Sequence, residues 1–413
     1  MYSISKKHLM RKAILNIIRS TEPVSRTDIK KLLDFRMASV IEIVNELIDE
    51  GIVIESGNLG IKGIKKKKLL YLNEDAFHTI GVDIQAEEII AVLANLKGKI
   101  LKRNVVHIKS DYSKDEILKV IFDLIEELTV SAIRRDKLLG IGISNPGILN
   151  KEKDHIIFSS QLEDWKDIPI KKLVEDKTGL PVFIDDSALL NLMAEKWFGK
   201  AGNYENIIYI QMGASFGVSI ISDGGFVRGA SGMAGEIGHT MVEPRGELCL
   251  CGNYGCLQTA ASSGVIVRKV KTLLKKGASS LVSDIVNGDL DAIDIHAVIK
   301  AAESNDKISL AVLEEAARYI GVALSNTINL LNPEMVIFGG QMVKRTGYII
   351  EPIKRIVKTS ALQLASRDII YETACFNEDG GVLGAVAMVL DEFFEYTRLK
   401  NMGMLPEETL NAI

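Results

Sequence analysis

One histidine and three cysteines, His239, Cys249, Cys251 and Cys256, fall within eighteen residues, in the stretch GEIGHTMVEPRGELCLCGNYGCLQTAAS. No other feature restricts the backbone as much, because an ion bound by all four closes residues 239–256 into a loop. Three thiolates and one imidazole make a complete tetrahedral set for zinc, with no coordination position left for a catalytic water. Gly252 and Gly255 permit the tight curl that brings Cys251 and Cys256 to one centre. A buried reduced cluster, or a disulfide with one thiol left over, is the competing arrangement. The N-terminus, MYSISKKHLMRKAIL, lacks the long apolar core of a secretory signal, and the local cysteine count is odd. The sequence therefore predicts a structural zinc in a cytoplasmic protein.

The chain of 413 residues is long enough for two or three domains, and its net charge of −4 is unevenly distributed. Residues 1–72 hold 14 Lys and Arg against 8 Asp and Glu, a surplus of +6, while the remainder holds 36 against 46, or −10. A basic head on an acidic body is the distribution expected when the head alone meets nucleic acid, although surface charge also varies by chance. Within the head, Leu9, Ala13, Ile14 and Ile17 mark a first helix, over residues 7–19. Ser25 and Asp28 open a second with a near capping box, Leu32 and Leu33 facing inward. A third places Met37, Val40, Ile41, Val44, Leu47 and Ile48 at helical spacing and ends at Gly51. A strand at Ile52–Ile54, a turn at Ser56-Gly57-Asn58 and a strand at Lys68–Leu72 follow. Three helices and a hairpin is the winged helix-turn-helix order.

The tip of that hairpin gathers Lys62, Lys65, Lys66, Lys67 and Lys68, suited to phosphate contact or to guarding a solvated edge. The third helix shows Ser39, Glu42, Asn45 and Glu46 outward; the two acids would repel phosphate, so Arg36, Ser39 and Asn45 are the candidate readers. Helix-turn-helix folds also serve as protein-binding modules.

In the body, residues 79–101 and 206–227 share a layout: strand, tight turn, strand, and a second turn at Lys97-Gly98 or Asp223-Gly224-Gly225. Duplicated hairpins separated by amphipathic helices, such as residues 115–133, suggest two related α/β lobes. Ligands in such folds favour the cleft between lobes.

These segments resemble the ROK family (repressors, open reading frames, kinases) over about residues 75–390. The resemblance rests on GISNPGILN (142–150), SSQLEDW (159–165), VFIDDSALLNLMAE (182–195), AGEIGH (234–239) with the cysteines, and LNPEMVIFGGQMV (331–343). It implies a two-lobed, actin-like, sugar kinase-like ATPase fold. A winged helix-turn-helix in front is the arrangement of the family's repressor branch, which includes xylose and N-acetylglucosamine repressors. The domains implied are residues 1–74, 75–197 with 385–400 returning to them, and 198–384. Carried over position by position, the family's sugar ligands fall on Asp185, Asp186, Glu236, His239 and Gln258, with Asp186 at the place of the kinase base.

This sequence departs from the family's kinases where they hold ATP. Asp83 is kept, but the glycine-glycine-threonine loop expected after it reads Ile84-Gln85-Ala86-Glu87-Glu88. Such a loop lacks the glycines that let backbone close on phosphate, and its glutamates repel a polyanion. The second phosphate loop, residues 213–217, keeps its glycines and gains Phe216. The expectation is a kinase-derived sensor without catalysis: a DNA-binding repressor of carbohydrate-metabolism genes, homodimeric or larger, that binds operator DNA and a carbohydrate effector. A sugar kinase with a DNA-binding head, and a regulator answering to a protein partner, are the alternatives.

Overall fold

The computed structural model describes residues 5–59, 67–109, 111–132, 134–150, 152, 154–159, 161–202, 204–343 and 347–405. Among these, no helix is long and apolar enough to cross a membrane. The chain divides into two compact units, residues 1–203 with 378–413, and residues 204–377.

The first unit begins with α1 (Lys6–Thr21), α2 (Arg26–Leu33) and α3 (Met37–Asp49), then β1 (Val53–Leu59) antiparallel to β2 (Lys67–Leu72). The capping box forms in both directions: Ser25 Oγ accepts from the Asp28 N–H, and the Asp28 carboxylate accepts from the Ser25 N–H. Ala13, Ile14, Ile17, Ile29, Val40, Ile43, Val44 and Leu47 are buried. Three expectations change. Ile41 is 42% exposed and Ile43 takes its place, because the buried stripe of α3 runs 40, 43, 44, 47. Leu32 and Leu33 are only half-buried, and Ile29 anchors α2. The turn expected at Ser56-Gly57-Asn58 lies inside β1, where the pairing slips between Ser56 and Leu59 as a bulge.

Next come β3 (His78–Ile84), β4 (Glu88–Asn95), β5 (Ile100–His107), α4 (Lys114–Ser131) and β6 (Leu138–Asn145). A three-stranded sheet of β7 (Ile148–Leu149), β8 (Ile156–Phe158) and β9 (Lys166–Ile168) precedes α5 (Ile170–Thr178), β10 (Val182–Asp186) and α6 (Ser187–Phe198). The main sheet has the order β5-β4-β3-β6-β10, with β6 and β10 parallel to β3 and the outer pairs antiparallel.

The second unit repeats this plan. Its strands are β11 (Ile207–Met212), β12 (Phe216–Ser222), β13 (Gly225–Phe226), β14 (Met335–Gly339) and β15 (Ile370–Thr373), in the order β13-β12-β11-β14-β15. Again a meander of successively antiparallel strands lies on one side of the first strand and two parallel strands on the other. The shared order confirms the duplication suggested by the two hairpins. Its helices are α7 (Leu257–Ala261), α8 (Ser263–Lys275), α9 (Leu281–Ile285), α10 (Ile295–Glu303), α11 (Lys307–Leu331), α12 (Gly347–Ser360) and α13 (Gln363–Ser366). In α11, Val312, Leu313, Ala316, Ala317, Ile320 and Leu324 face the core.

The chain then returns to the first unit as α14 (Gly380–Phe394) and α15 (Tyr396–Asn401). Small residues let α14 lie close on sheet and helix. A Cβ at Gly142 of β6 would collide with the Ala385 carbonyl oxygen, and one at Gly384 with the Leu190 carbonyl oxygen of α6. Such close approaches tie the sheet, α6 and α14 into one tightly packed body.

Candidate functional site

The histidine and cysteines converge. The ligand atoms of His239, Cys249, Cys251 and Cys256 all lie within 4.8 Å of one another. Cys251 Sγ stands 3.7 Å from Cys256 Sγ, and Cys249 Sγ stands 3.6 Å from His239 Nδ1. With metal–sulfur bonds of about 2.3 Å and metal–nitrogen bonds of about 2.0–2.1 Å, a tetrahedron has edges of about 3.8 and 3.6 Å. The donor set therefore fits one tetrahedral ion. All four cysteines of the chain are free of disulfides.

Local backbone builds this knuckle. The Cys249 N–H donates to the Asn253 carbonyl at 2.7 Å, and the Gly252 N–H to the Cys249 carbonyl at 2.9 Å. Gly255, at φ +66°, lies so near Glu243 that a Cβ would overlap its carbonyl oxygen, so no other residue fits. The Asn253 backbone amide holds the Cys251 thiol down to about 7, while burial pushes Cys256 up to about 12. A cation would favour the thiolate form of both and so join them at one centre.

Glu236 precedes and His239 ends a single 3₁₀ turn, Ile237–His239, whose i, i+3 spacing sets them on one side. Both are exposed, while Ile237 and Gly238 between them are buried. Because His239 Nδ1 faces the thiols, Nε2 is the ring nitrogen turned to other chemistry. Gln258 is engaged differently: its Oε1 accepts from the Phe216 N–H at 3.1 Å, and its Nε2 donates to the Ala214 carbonyl at 2.5 Å. It thus bridges the turn of residues 213–216. Phe216 does not fill that turn, since its side chain is 4% exposed and belongs to the hydrophobic core.

In the first unit the parallel strands end in a polar line. Asp185 of β10 pairs with Ser144 of β6, which pairs with Asp83 of β3, and Asp186 pairs with Asn145. Carboxyl ends of parallel strands are where open α/β sheets bind ligands. Asp186 caps α6, its Oδ1 accepting from the Leu189 N–H at 2.9 Å; Asp185 Oδ1 accepts from the Asp186 N–H at 3.0 Å. Ser144 and Asn145 were not singled out from sequence. Trp165 fixes Asn145 by donating its indole N–H to Oδ1 at 2.9 Å. The available signal was a small polar pair closing an apolar strand before Pro146-Gly147.

Asp83 is enclosed. Residues 85–87 form a short turn between β3 and β4, closed by the Gln85 N–H donating to the Glu88 carbonyl at 2.9 Å. Gln85 Nε2 then donates to Asp83 Oδ2 at 2.7 Å, and the carboxylate lies against Gly381 of α14. Burial pushes the Asp83 carboxyl up to about 6, against smaller opposing effects of Ser144 and Gln85.

In the head, the acids of α3 are accounted for. Lys7 Nζ of α1 lies 2.8 Å from Glu42 and 2.6 Å from Glu46, which offsets the repulsion expected from their charge. Arg26 donates to Asn45 at 3.0 Å and pairs with Glu55, which also pairs with Lys68 at 2.6 Å. Arg36 is the N-terminal cap residue of α3, and Ser39 lies in its first turn. Lys62, Lys65 and Lys66 lie outside the described residues, and Lys67 opens β2.

Three comparisons bear on this arrangement. The model of the ROK family matches residues 79–392. A xylose repressor of Caldicellulosiruptor bescii is 32% identical over 391 residues, covering 94% of this chain and 97% of that protein. Among solved structures, a ROK family transcriptional regulator described as a homologue of the E. coli Mlc protein covers 95% of this chain and 99% of its own, with a TM-score of 0.82 at 25% identity. A ROK family glucokinase from Streptomyces griseus, in complex with glucose and AMPPNP, covers 75% of this chain and 98% of its own, with a TM-score of 0.67 at 26% identity.

Proposed function

The chain belongs to the ROK family, and from that premise we propose that it is a DNA-binding transcriptional repressor of carbohydrate-metabolism genes whose kinase-like body binds a sugar effector. The observation behind this reading is the reach of the match to the xylose repressor. Alignment over 94% of this chain has to include most of the head as well as the body.

For a carbohydrate, the candidate groups are Asp185, Asp186, Glu236 and the Nε2 of His239, while the amide of Gln258 is taken up by the backbone at Ala214 and Phe216. Carboxylates and imidazoles suit a polyol because they exchange paired hydrogen bonds with its hydroxyls. For DNA, the groups offered are Arg36, Ser39 and Asn45 on α3, and Lys62 with Lys65–Lys68 on the wing. Two copies on two half-sites would make a homodimer the binding form.

Phosphoryl transfer is absent in this reading. The reaction depends on phosphates held in place, and the short turn at residues 85–87 directs Gln85 onto Asp83 where a phosphate-binding loop would stand. Asp186 keeps the place of a kinase base, so the competing reading is a sugar kinase with a DNA-binding head. The ion of the cysteine cluster is zinc with a structural role: four protein ligands leave no open position, and thiolates with imidazole favour it. It would hold the His239 ring so that Nε2 meets a sugar hydroxyl.

The test is selection of genomic fragments by the purified protein, followed by release with a panel of sugars and sugar phosphates. Specific fragments released by one compound, with no sugar-dependent ATP consumption, are expected. Sugar-dependent ATP consumption without retained fragments would establish the kinase instead.

A further inference from the structure

Helix α1 belongs to the DNA-binding head, yet Ala13 through Ile18 are all buried, more than the core of a three-helix head requires. The second covering surface is the corner where α14 passes into α15. His8, Lys12, Asn16 and Arg19 follow helical spacing along one side of α1, and each meets that corner. His8 Nε2 lies 2.5 Å from Glu395 Oε1. Lys12 Nζ donates to the Phe393 carbonyl and lies 4.9 Å from the centre of the Phe393 ring. Asn16 Nδ2 donates to the Phe394 carbonyl at 2.8 Å. These carbonyls are among the last of α14, which lack partners within the helix, so side chains of the head cap a helix of the body. A lysine there also suits the negative end of the helix dipole.

Arg19 completes this junction. Its guanidinium lies 4.3 Å from the ring centre of Trp197, 4.8 Å from that of Phe394 and 5.3 Å from that of Tyr396. Aromatic faces attract a cation without fixed directionality, so the group can shift across them where a bidentate ion pair would break.

Two of the three helices supplying this cage, α6 and α14, begin at the polar strand ends, and Tyr396 opens α15. α6 is capped by Asp186 and ends at Trp197-Phe198, 12 residues or about 18 Å later. α14 begins with Gly380-Gly381, beside Asn191 and Asp83, and ends at Phe394 after 15 residues, about 22 Å. They pack closely at Gly384 and Leu190, so one cannot slide without moving the other.

We propose that Arg19 and its cage of Trp197, Phe394 and Tyr396 are the joint through which a ligand at Asp186 repositions the DNA-binding head. This rests on the carbohydrate reading given above. A sugar hydroxyl drawing on the Asp186 carboxylate competes with the cap of α6; α6 and α14 shift together, and the head follows because α1 is bound to their far ends. Arg19 is a positioning residue and touches neither sugar nor DNA.

The experiment uses the full chain, with the compound found by the release panel. Calorimetry measures effector affinity for the free protein, and a binding assay on the selected fragment measures operator affinity with and without saturating effector. Arg19→Leu should keep effector affinity within twofold of wild type and lose at least tenfold of the effector-induced change in operator affinity. Arg19→Lys, which keeps a cation over the rings, should restore most of that change. A full response in Arg19→Leu would overturn the joint while leaving the sugar reading intact. If Arg19→Leu does not fold, hydrogen exchange on the wild type decides. Effector should alter the protection of residues 12–19 and 393–396, and unchanged protection there overturns the joint. Absence of any binding compound for the wild type would refute the sugar reading, and the joint with it.

Discussion

Replacing Cys249 with serine removes one of the four side chains whose ligand atoms lie within 4.8 Å of one another. Cys249 is 4% exposed, and its Sγ sits 3.6 Å from His239 Nδ1, the edge length expected of a filled tetrahedron. Structural zinc sites of this kind contribute about 10–16 kcal/mol in small peptides. A quarter share is about 3–4 kcal/mol, or two to three orders of magnitude in zinc affinity at about 1.4 kcal/mol per decade. The loss falls on the second unit, residues 204–377. For domains of about 150–250 residues each kcal/mol shifts the melting temperature by about 2–4 °C, so a fall of roughly 10 °C is expected. Elemental analysis after dialysis against a mild chelator should find near-equimolar zinc in the wild type and little in the variant. Calorimetric melting with and without strong chelator separates loss of metal from loss of packing. Chelation should lower the wild-type transition to that of the variant and leave the variant unmoved. Equal zinc in both proteins, or a wild-type transition indifferent to chelation, would refute the reasoning.

Three further outcomes are expected. The folded pKa of Asp83, about 6, lies above its ordinary value of 3.8 because the carboxyl is buried. Its contribution to stability is therefore full below pH 4 and is lost as pH rises through 6, by about 3 kcal/mol at neutrality. Asp83→Asn should melt higher than wild type at pH 7 and converge with it near pH 4; parallel melting curves across that range would show that the carboxyl is not strained. Glu236→Ala should abolish release of the operator by effector while sparing operator binding, measured by fluorescence anisotropy, and a normal response would displace Glu236 from the sugar ligands. Replacing Lys65–Lys68 with alanine should weaken binding to all DNA sequences and flatten the salt dependence by about one unit of log–log slope for each phosphate no longer neutralised. An unchanged slope would mean that the wing does not touch phosphate.

What the sequence alone determined was local. The capping box of Ser25 and Asp28 is legible because its partners are three residues apart, and so are the helices of the head, whose apolar spacing is an imprint of the helical turn. The histidine–cysteine knuckle is legible for the same reason, since its side chains are close along the chain and two glycines mark the bend. Even here single positions slipped: Ile41 and Ile43 both fit a helical spacing, and only packing against α1 and α2 chose Ile43. A Ser-Gly-Asn turn signal became a bulge because the strand found a partner beyond it.

Tertiary structure decided whatever depends on distant segments meeting. The line from Asp83 through Ser144 to Asp185 exists because β3, β6 and β10 pair in parallel, and no local pattern states which strands will be neighbours or in what register. The part played by Gln258 changed once its amide met the backbone at Ala214 and Phe216. The Arg19 cage draws its rings from α6 and from the corner after α14, segments remote from α1 in the chain. Backbone spacing records what one turn of helix or one chelate loop needs. Pairings across hundreds of residues follow from the summed packing of whole layers, and they appear only when the layers are assembled.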